Sequence, residues 1–264
     1  MKKYVSLFLI FLLLVTASLP ALAAPAPKIN LEQAVKIAKA AFPVPEALTE
    51  FESSYSAYSN KPQWNLNWNA PSGSVTRGSL SIAVDANSGD ILSMYSWQDD
   101  NTPKAALPKY SRAEAEKLAW EVAAKIQPRF AETRLVEFPD DERFWGGPAS
   151  RHSFQFQRIV NGYPYNNNGI TVEVDANKFE VTSYRFNWDT DIDFPQPDKL
   201  ISPQEAEEAF LTKGAPRLIY FRPRPEDNKE RPIKLVYDLG RTTAYVVDAK
   251  TGEVKLHDYW YGID

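Results

Sequence analysis

The sequence has no cysteine and only two histidines among its 264 residues. Without cysteine the chain can form no disulfide, no thiolate nucleophile, no zinc-thiolate site and no lipid attachment through an N-terminal cysteine. No Gly-x-Ser-x-Gly, His-Glu-x-x-His, phosphate-loop or dinucleotide-binding pattern occurs. Because the usual signatures of hydrolases and nucleotide-binding proteins are missing, we expect a protein that is not an enzyme and that needs no cofactor.

The two histidines, His152 and His257, both flank predicted strands. A general base needs a positioned nucleophile and an orienting partner, and the sequence identifies neither, so both are interpreted as polar surface residues. Paired carboxylates for glycoside cleavage meet only in three dimensions, and no pair stands out. An enzyme with an unrecognised carboxylate site therefore stays as the weakest alternative.

Basic residues are not in excess, since 30 Lys and Arg face 34 Asp and Glu and give a formal net charge of −4. A protein that binds a phosphate backbone needs a positive stripe or patch, and none is apparent. We therefore predict no nucleic-acid partner.

Long hydrophobic runs are also lacking, except for one from Val5 to Val15 at the N-terminus. Lys2 and Lys3 precede this run, and the small residues Ala21 and Ala23 follow it, as in a secretory signal peptide. We predict cleavage after Ala23 and a secreted or cell-envelope protein of bacterial origin. An uncleaved anchor is the alternative, although the run falls short of the roughly 20 apolar residues that span a bilayer.

Three segments of the chain share a helix-start pattern. A polar residue is followed three positions later by Gln or Glu, which allows the two side chains to bond the exposed backbone N–H groups reciprocally. The apolar spacing that follows predicts amphipathic helices that end near Pro43, Pro128 and Gly214. The three starts are Asn30 with Gln33, Ser111 with Glu114, and Ser202 with Glu205.

A hairpin pattern also occurs three times, as Val-Asp-Ala followed after two residues by Gly or, in the middle copy, by Phe179. The aspartate can begin the turn with its side chain, and glycine supplies the positive φ that the loop needs. Because Phe179 replaces glycine, we expect the middle turn to differ. The three patterns begin at Val84, Val174 and Val247.

Alternating strand residues lie between each helix and its hairpin, and Asn161-Gly162 predicts a tight turn between two of these strands. The predicted strands are 64–68, 153–160, 170–174 and 233–237. Stretches rich in Pro and Asp separate the repeats. We therefore predict an α+β fold of tandem units, each with one helix packed on an antiparallel sheet. Their bounds are 24–105, 106–198 and 199–264, after a signal peptide at 1–23.

The middle and last repeats resemble the YcdB/YcdC repeated domain, an exported bacterial domain related in pattern to the PepSY module. The resemblance depends on Phe-Gln-Phe-Gln-Arg from Phe154, Asn-Gly-Tyr-Pro from Asn161, Ile-Thr-Val-Glu-Val-Asp from Ile170 and Tyr-Arg-Phe-Asn-Trp-Asp from Tyr184. It extends to Ile-Ser-Pro-Gln-Glu-Ala from Ile201. Because PepSY units are similar to parts of protease propeptides, the resemblance implies a role in restraining a peptidase.

Two sets of residues are candidate binding sites. Each repeat ends in aromatic residues, and Trp97, Trp188 and Trp260 could present ring faces to a sugar or peptide, although tryptophans more often seal the edge of a core. Asp189, Asp191 and Asp193 alternate and could bind a hard cation such as calcium, although a solvated linker is the favoured interpretation.

Two functions beside the enzyme follow from these patterns. The favoured hypothesis is a secreted, non-catalytic repeat protein that binds an exported peptidase or another envelope protein, with an open sheet edge as the contact. The alternative is a cell-envelope module that binds wall glycans through its aromatic residues.

Overall fold

The computed structural model describes residues 27–57, 61–99, 108–136, 151–212, 217–221, 233–238 and 245–256. The predicted signal peptide with Ala21 and Ala23, as well as His257 and Trp260, lie outside these ranges. Contacts group the chain into two compact units, residues 1–192 and 193–264. Within the described ranges no helix has both the length and the hydropathy of a membrane span.

Three α-helices begin where the repeated start pattern predicts. They are α1 (Leu31–Ala41), α2 (Arg112–Ile126) and α3 (Pro203–Leu211). Each has a complete capping box, in which the cap side chain accepts the N–H of the third helical residue and that residue's side chain accepts the N–H of the cap. The prolines Pro43 and Pro128 follow α1 and α2 closely, and a short 3₁₀ helix, Pro128–Glu132, continues from the second.

The three hairpin turns have the same structure. In each, the aspartate Oδ1 accepts two backbone N–H groups, and its carbonyl accepts the N–H of the residue four positions on. That residue has positive φ in every copy, being Gly89 at 81°, Phe179 at 57° and Gly252 at 71°. The prediction of a different middle turn is therefore wrong. Phe179 adopts the left-handed conformation because its ring packs on Tyr110, with centroids 4.6 Å apart.

Each helix start is tied to its own hairpin by a backbone hydrogen bond. The residue before the cap donates its N–H to the carbonyl of the alanine in the Val-Asp-Ala pattern. The pairs are Ile29 with Ala86 at 2.8 Å, Tyr110 with Ala176 at 2.9 Å, and Ile201 with Ala249 at 2.9 Å. The two repeated sequence patterns are therefore the two halves of one structural joint.

The first unit contains one antiparallel sheet of eight strands, which confirms an α+β fold with antiparallel pairing. The strands are β1 (Glu50–Ser56), β2 (Gln63–Asn69), β3 (Arg77–Asp85), β4 (Ile91–Asp99), β5 (Thr133–Leu135), β6 (Arg151–Val160), β7 (Tyr163–Asp175) and β8 (Glu180–Asn187). Their order is β1-β2-β3-β4-β8-β7-β6-β5. The two predicted repeats thus contribute four strands each to a shared sheet, and the division of the chain into tandem domains stays a prediction.

The two halves of the sheet join through equivalent residues. Val84 and Val174, which begin the repeated turns, are 90 positions apart, so Met94 corresponds to Tyr184. These two residues pair directly across β4 and β8, flanked by Ser93 with Arg185 and Tyr95 with Ser183. The junction therefore has local two-fold pseudosymmetry centred on the pair of Met94 and Tyr184, like the isologous interface of a symmetric dimer.

Among the described residues of the first unit, helices pack on one face of this sheet and on that face only. Alternate residues of the inner strands join α1 and α2 in a single hydrophobic core, and the fully buried side chains include Leu66, Ile82, Phe154, Val172 and Tyr184. The residues between them face the other way and are mostly polar, among them Asn65, Asn67, Ser81, Gln155 and Arg185.

The second unit contains α3 and two small hairpins. Strands β9 (Arg217–Phe221) and β10 (Lys234–Asp238) pair antiparallel, as do β11 (Tyr245–Val247) and β12 (Val254–Leu256). Helix α3 packs against β11. Lys250 bonds Asp198 at 2.6 Å, which ties the last turn to the segment before α3.

Candidate functional site

The first unit has a cleft of about 600 Å³ between the end of α1, the helix α2 and the junction of β4 with β8. Its floor includes Leu80 and Met94, and its walls include Pro43 after α1 and Leu118 and Val122 of α2. A volume of roughly 300–1,000 Å³ is typical of sites that bind small molecules or side chains. The cleft is thus large enough to hold a ligand.

The cleft exists because the two repeats have helices of different length. Helix α1 has 11 residues and α2 has 15, although both begin at the same capping box. The difference is about one helical turn of 3.6 residues. Pro43 prevents α1 from continuing, so the irregular segment 42–45 lines the cleft instead of a further helical turn.

Strand residues differ in the same way between the two repeats. With the 90-position correspondence, Ser96 and Gln98 of β4 match Phe186 and Trp188 at the end of β8. Phe186 and Trp188 are buried and stack with centroids 5.7 Å apart, whereas Ser96 and Gln98 line the cleft. In the second repeat, aromatic rings therefore occupy the volume that is open in the first repeat.

Pairing between β4 and β8 ends at the border of the cleft. The described residues pair only at positions 93–95 of β4 with 183–185 of β8. The next residues of both strands, 96–98 and 180–182, line the cleft instead of continuing the ladder.

Charged residues form part of the rim. Lys125, Arg151 and Lys178 come from α2, β6 and the turn before β8, and the anionic Asp175 and Glu180 lie among them. The carboxylate of Asp175 already accepts the N–H groups of two turn residues. Cationic side chains thus converge on the rim from three separate elements.

The predicted aromatic residues do not share a surface. Trp97 corresponds to Asn187 rather than to Trp188, so the two tryptophans are offset by one position, which places them on opposite faces of the sheet. Trp97 is 42% exposed and Trp188 is 3% exposed. The guanidinium of Arg158 lies 4.4 Å from the ring centroid of Trp188, so this ring has no open face for a ligand.

The predicted cation site is not formed by the described residues, which contain no group of three acidic or histidine side chains placed to hold a metal ion. Asp189 is used within the fold, because its Oδ2 accepts hydrogen bonds from Tyr165 at 3.2 Å and Asn168 at 2.8 Å. Burial and the bond to Asp189 raise the pKa of Tyr165. Asp191 and Asp193 are exposed.

Other polar groups with shifted pKa values belong to caps, turns and ion pairs. Hydrogen bonds from the cap serine lower the pKa of Glu114 and of Glu205, and turn N–H groups lower that of Asp248. The bond to Lys250 lowers the pKa of Asp198. These groups therefore have structural uses.

His152 is partly buried, and its Nε2 lies 3.4 Å from the carbonyl oxygen of Tyr110.

Tyr184 is the exception, because it lies at the centre of the junction and is fully buried. Within the described residues its hydroxyl has no hydrogen-bond partner. Burial, with a smaller effect of Asp90, raises the pKa of Tyr184 far above its ordinary value. Its ring packs on Phe42 at a centroid distance of 5.9 Å.

Sequence reasoning did not identify the cleft. The visible signals were the earlier stop of α1 at Pro43 and the small or polar Ser96 and Gln98 at positions matched by aromatic residues. Only the strand pairing shows that these features meet at one place.

Comparisons with known proteins identify the first unit. The family model of the YcdB, YcdC repeated domain matches residues 31–188, which is more than half of the chain. No curated protein matches the sequence. The structure of the Bacillus megaterium YpeB C-terminal domain is similar with a TM-score of 0.48 and 13% identity, over 86% of this chain and 97% of that one. At that score the likeness carries no conclusion.

Proposed function

Because the chain belongs to the family of the YcdB, YcdC repeated domain, we propose that it is a non-catalytic interaction protein whose binding surface is the cleft between α1 and α2. The observation that carries this proposal is the open apolar volume at the junction of the repeats, which the second repeat fills with its own aromatic residues. An apolar concavity of this size with a few polar groups at its rim is the usual form of a binding site.

A non-catalytic role agrees with how the polar residues are used. Catalytic sites commonly gather carboxyl, histidine or tyrosine groups with perturbed pKa values in one cleft. Here the lowered carboxyl pKa values belong to the caps and turns at Glu114, Glu205 and Asp248. These groups stabilise helix starts and hairpins, so their perturbation needs no catalytic explanation.

The proposed partner is an exported protein, with a peptidase as the specific candidate. Export is proposed from the apolar N-terminal run followed by Ala21 and Ala23. A peptidase is proposed as the partner because the chain shares a pattern with PepSY modules, namely the capped helix followed by an Asp-Ala hairpin.

The test combines capture and kinetics. The full chain is immobilised and exposed to the exported proteins of the source cell, and each retained protein is purified and its dissociation constant is measured by calorimetry. We expect at least one exported protein to bind with a dissociation constant in the micromolar range or below, and a bound peptidase to lose activity in proportion to occupancy. If no exported protein binds the pure chain, or if the chain itself turns over a peptide or glycan substrate, the proposal is wrong.

A further inference from the structure

We propose that the cleft binds an extended peptide by strand addition, and that the preferred peptide carries alternate apolar side chains, one of them aromatic, next to an acidic residue. This inference depends on the interaction function proposed above and names its ligand and binding mode. It goes further because it assigns the main-chain contacts to two specific strand edges.

Strands β4 and β8 separate at the cleft. Beyond Tyr95 in β4 and before Ser183 in β8, neighbouring residues no longer pair with each other in the described structure. Three consecutive residues of each strand, 96–98 and 180–182, nevertheless line the cleft. Successive side chains point to opposite faces, so three consecutive residues can reach one cavity only when the strand edge itself borders it. The edges of both strands therefore border the cleft, where no pair joins β4 to β8 among the described residues.

The second repeat indicates which side chains the ligand should carry. In the second repeat the equivalent space above the strand is filled by Phe186 and Trp188, two residues apart. Two residues apart on a strand means the same face. A peptide with large apolar residues at alternate positions would place equivalent groups over Ser96 and Gln98, against Leu80 and Leu118. The fold thus already contains a template for the shape of the ligand.

The charge of the rim differs in sign from that of the whole chain. The chain as a whole has a formal net charge of −4, yet the rim carries three cationic side chains, at Lys125, Arg151 and Lys178, against two anionic ones. One of the anionic groups, Asp175, is already bonded by the turn. The Asp175 carboxylate keeps its charge in these bonds, so three cations against two anions give the rim a formal charge of +1, which favours an acidic group on the peptide over a basic one.

The experiment measures peptide binding to the full chain by fluorescence anisotropy. The probe is a fluorescein-labelled peptide with the sequence Thr-Val-Thr-Phe-Thr-Leu-Glu. Three further peptides test each feature: one is N-methylated at alternate residues to block main-chain bonds, one has Ala in place of Phe, and one has Lys in place of Glu. We expect each change to weaken binding by roughly tenfold or more, because each removes one of the three kinds of contact.

Matched variants of the protein test whether the peptide binds in the cleft. Ser96→Phe introduces the residue of the second repeat and should abolish binding by filling the cleft. Ser54→Phe makes the same change on β1, opposite Asn65 and outside the cleft lining, and should leave binding unchanged. Circular dichroism and the thermal midpoint of both variants show that the fold is retained, and the double variant Lys125→Ala with Arg151→Ala tests the rim without adding bulk.

Binding that survives Ser96→Phe in a folded protein, or that is insensitive to N-methylation, would overturn the inference. So would equal affinity for the lysine and glutamate peptides, or no binding of the parent peptide at millimolar concentration. The proposed function fails separately: if no exported protein binds the pure chain although the labelled peptide does, the partner class is wrong and the peptide-binding mode stands.

Discussion

Removing the hydroxyl of Tyr184 should stabilise the protein. The side chain is fully buried at the centre of the β4–β8 junction, and its hydroxyl has no hydrogen-bond partner among the described residues. An unsatisfied buried polar group costs about 1–3 kcal/mol. Tyr184→Phe keeps the ring and its packing on Phe42, so we expect a gain of about 1 kcal/mol in the free energy of unfolding, or roughly 2–4 °C in the thermal midpoint.

The control is Tyr165→Phe, which removes a hydroxyl that donates to Asp189 at 3.2 Å. This variant should lose about 0.5–1.5 kcal/mol, because it deletes a hydrogen bond rather than an unpaired group. Both free energies are measured by chemical denaturation followed by circular dichroism. A destabilisation of Tyr184→Phe equal to that of Tyr165→Phe would refute the reasoning, because it would mean that the buried hydroxyl has a bonding partner.

Alkaline pH gives a second measurement on the same residue. Burial raises the pKa of Tyr184 in the folded state above its ordinary value of 10.0. The folded protein then holds the phenolic proton more tightly than the unfolded chain, so the stability that depends on it is complete below pH 10 and falls as the pH rises further, by up to about 1.4 kcal/mol per pH unit. The Tyr184→Phe variant should lack this part of the alkaline loss, and identical alkaline profiles of variant and wild type would contradict the account.

Three further substitutions test the local structure by thermal denaturation. A Cβ on Gly169 would lie 2.0 Å from the carbonyl oxygen of Phe156, so Gly169→Ala should cost more than about 2 kcal/mol, and a neutral result would refute that close approach. Phe179→Gly removes about 1 kcal/mol of left-handed backbone strain, but it also removes the ring contact with Tyr110. The free energy of unfolding should therefore change by less than about 1 kcal/mol. A larger loss would mean that the ring contact outweighs the backbone strain. Ser111→Ala breaks the capping box of α2 and should cost about 1 kcal/mol, whereas no change would show the cap to be dispensable.

The local elements of the fold could be predicted from sequence because their causes are local. Capping boxes at Asn30, Ser111 and Ser202 and the turn at Asn161-Gly162 depend on residues three or fewer positions apart, and all are present. The polar strand β1 was not predicted, since its sequence lacks an apolar alternation and most of its residues are exposed. This strand is held by its pairing with β2 rather than by burial of its own side chains.

The candidate site could not be predicted because it depends on a contact between repeats. Nothing near Met94 in sequence indicates that it pairs with Tyr184, 90 positions away. A count of aromatic residues at each strand end also missed the one-position offset between Trp97 and Trp188, which decides that one is exposed and the other buried. The middle turn was mispredicted for the same reason, because the contact of Phe179 with Tyr110 is not visible in the sequence.

The junction of β4 with β8 is the contact on which both the shared sheet and the cleft depend. The chain has no cysteine, so disulfide trapping can test it directly: Tyr95→Cys with Ser183→Cys joins a directly paired position, and Tyr95→Cys with Arg185→Cys is the control shifted by two residues. After mild oxidation, the fraction of each variant that is cross-linked is measured by mass spectrometry of the digested protein. We predict rapid, near-complete cross-linking of the paired variant and little of the control; equal cross-linking of the two, or none in the paired variant, would contradict the eight-stranded sheet.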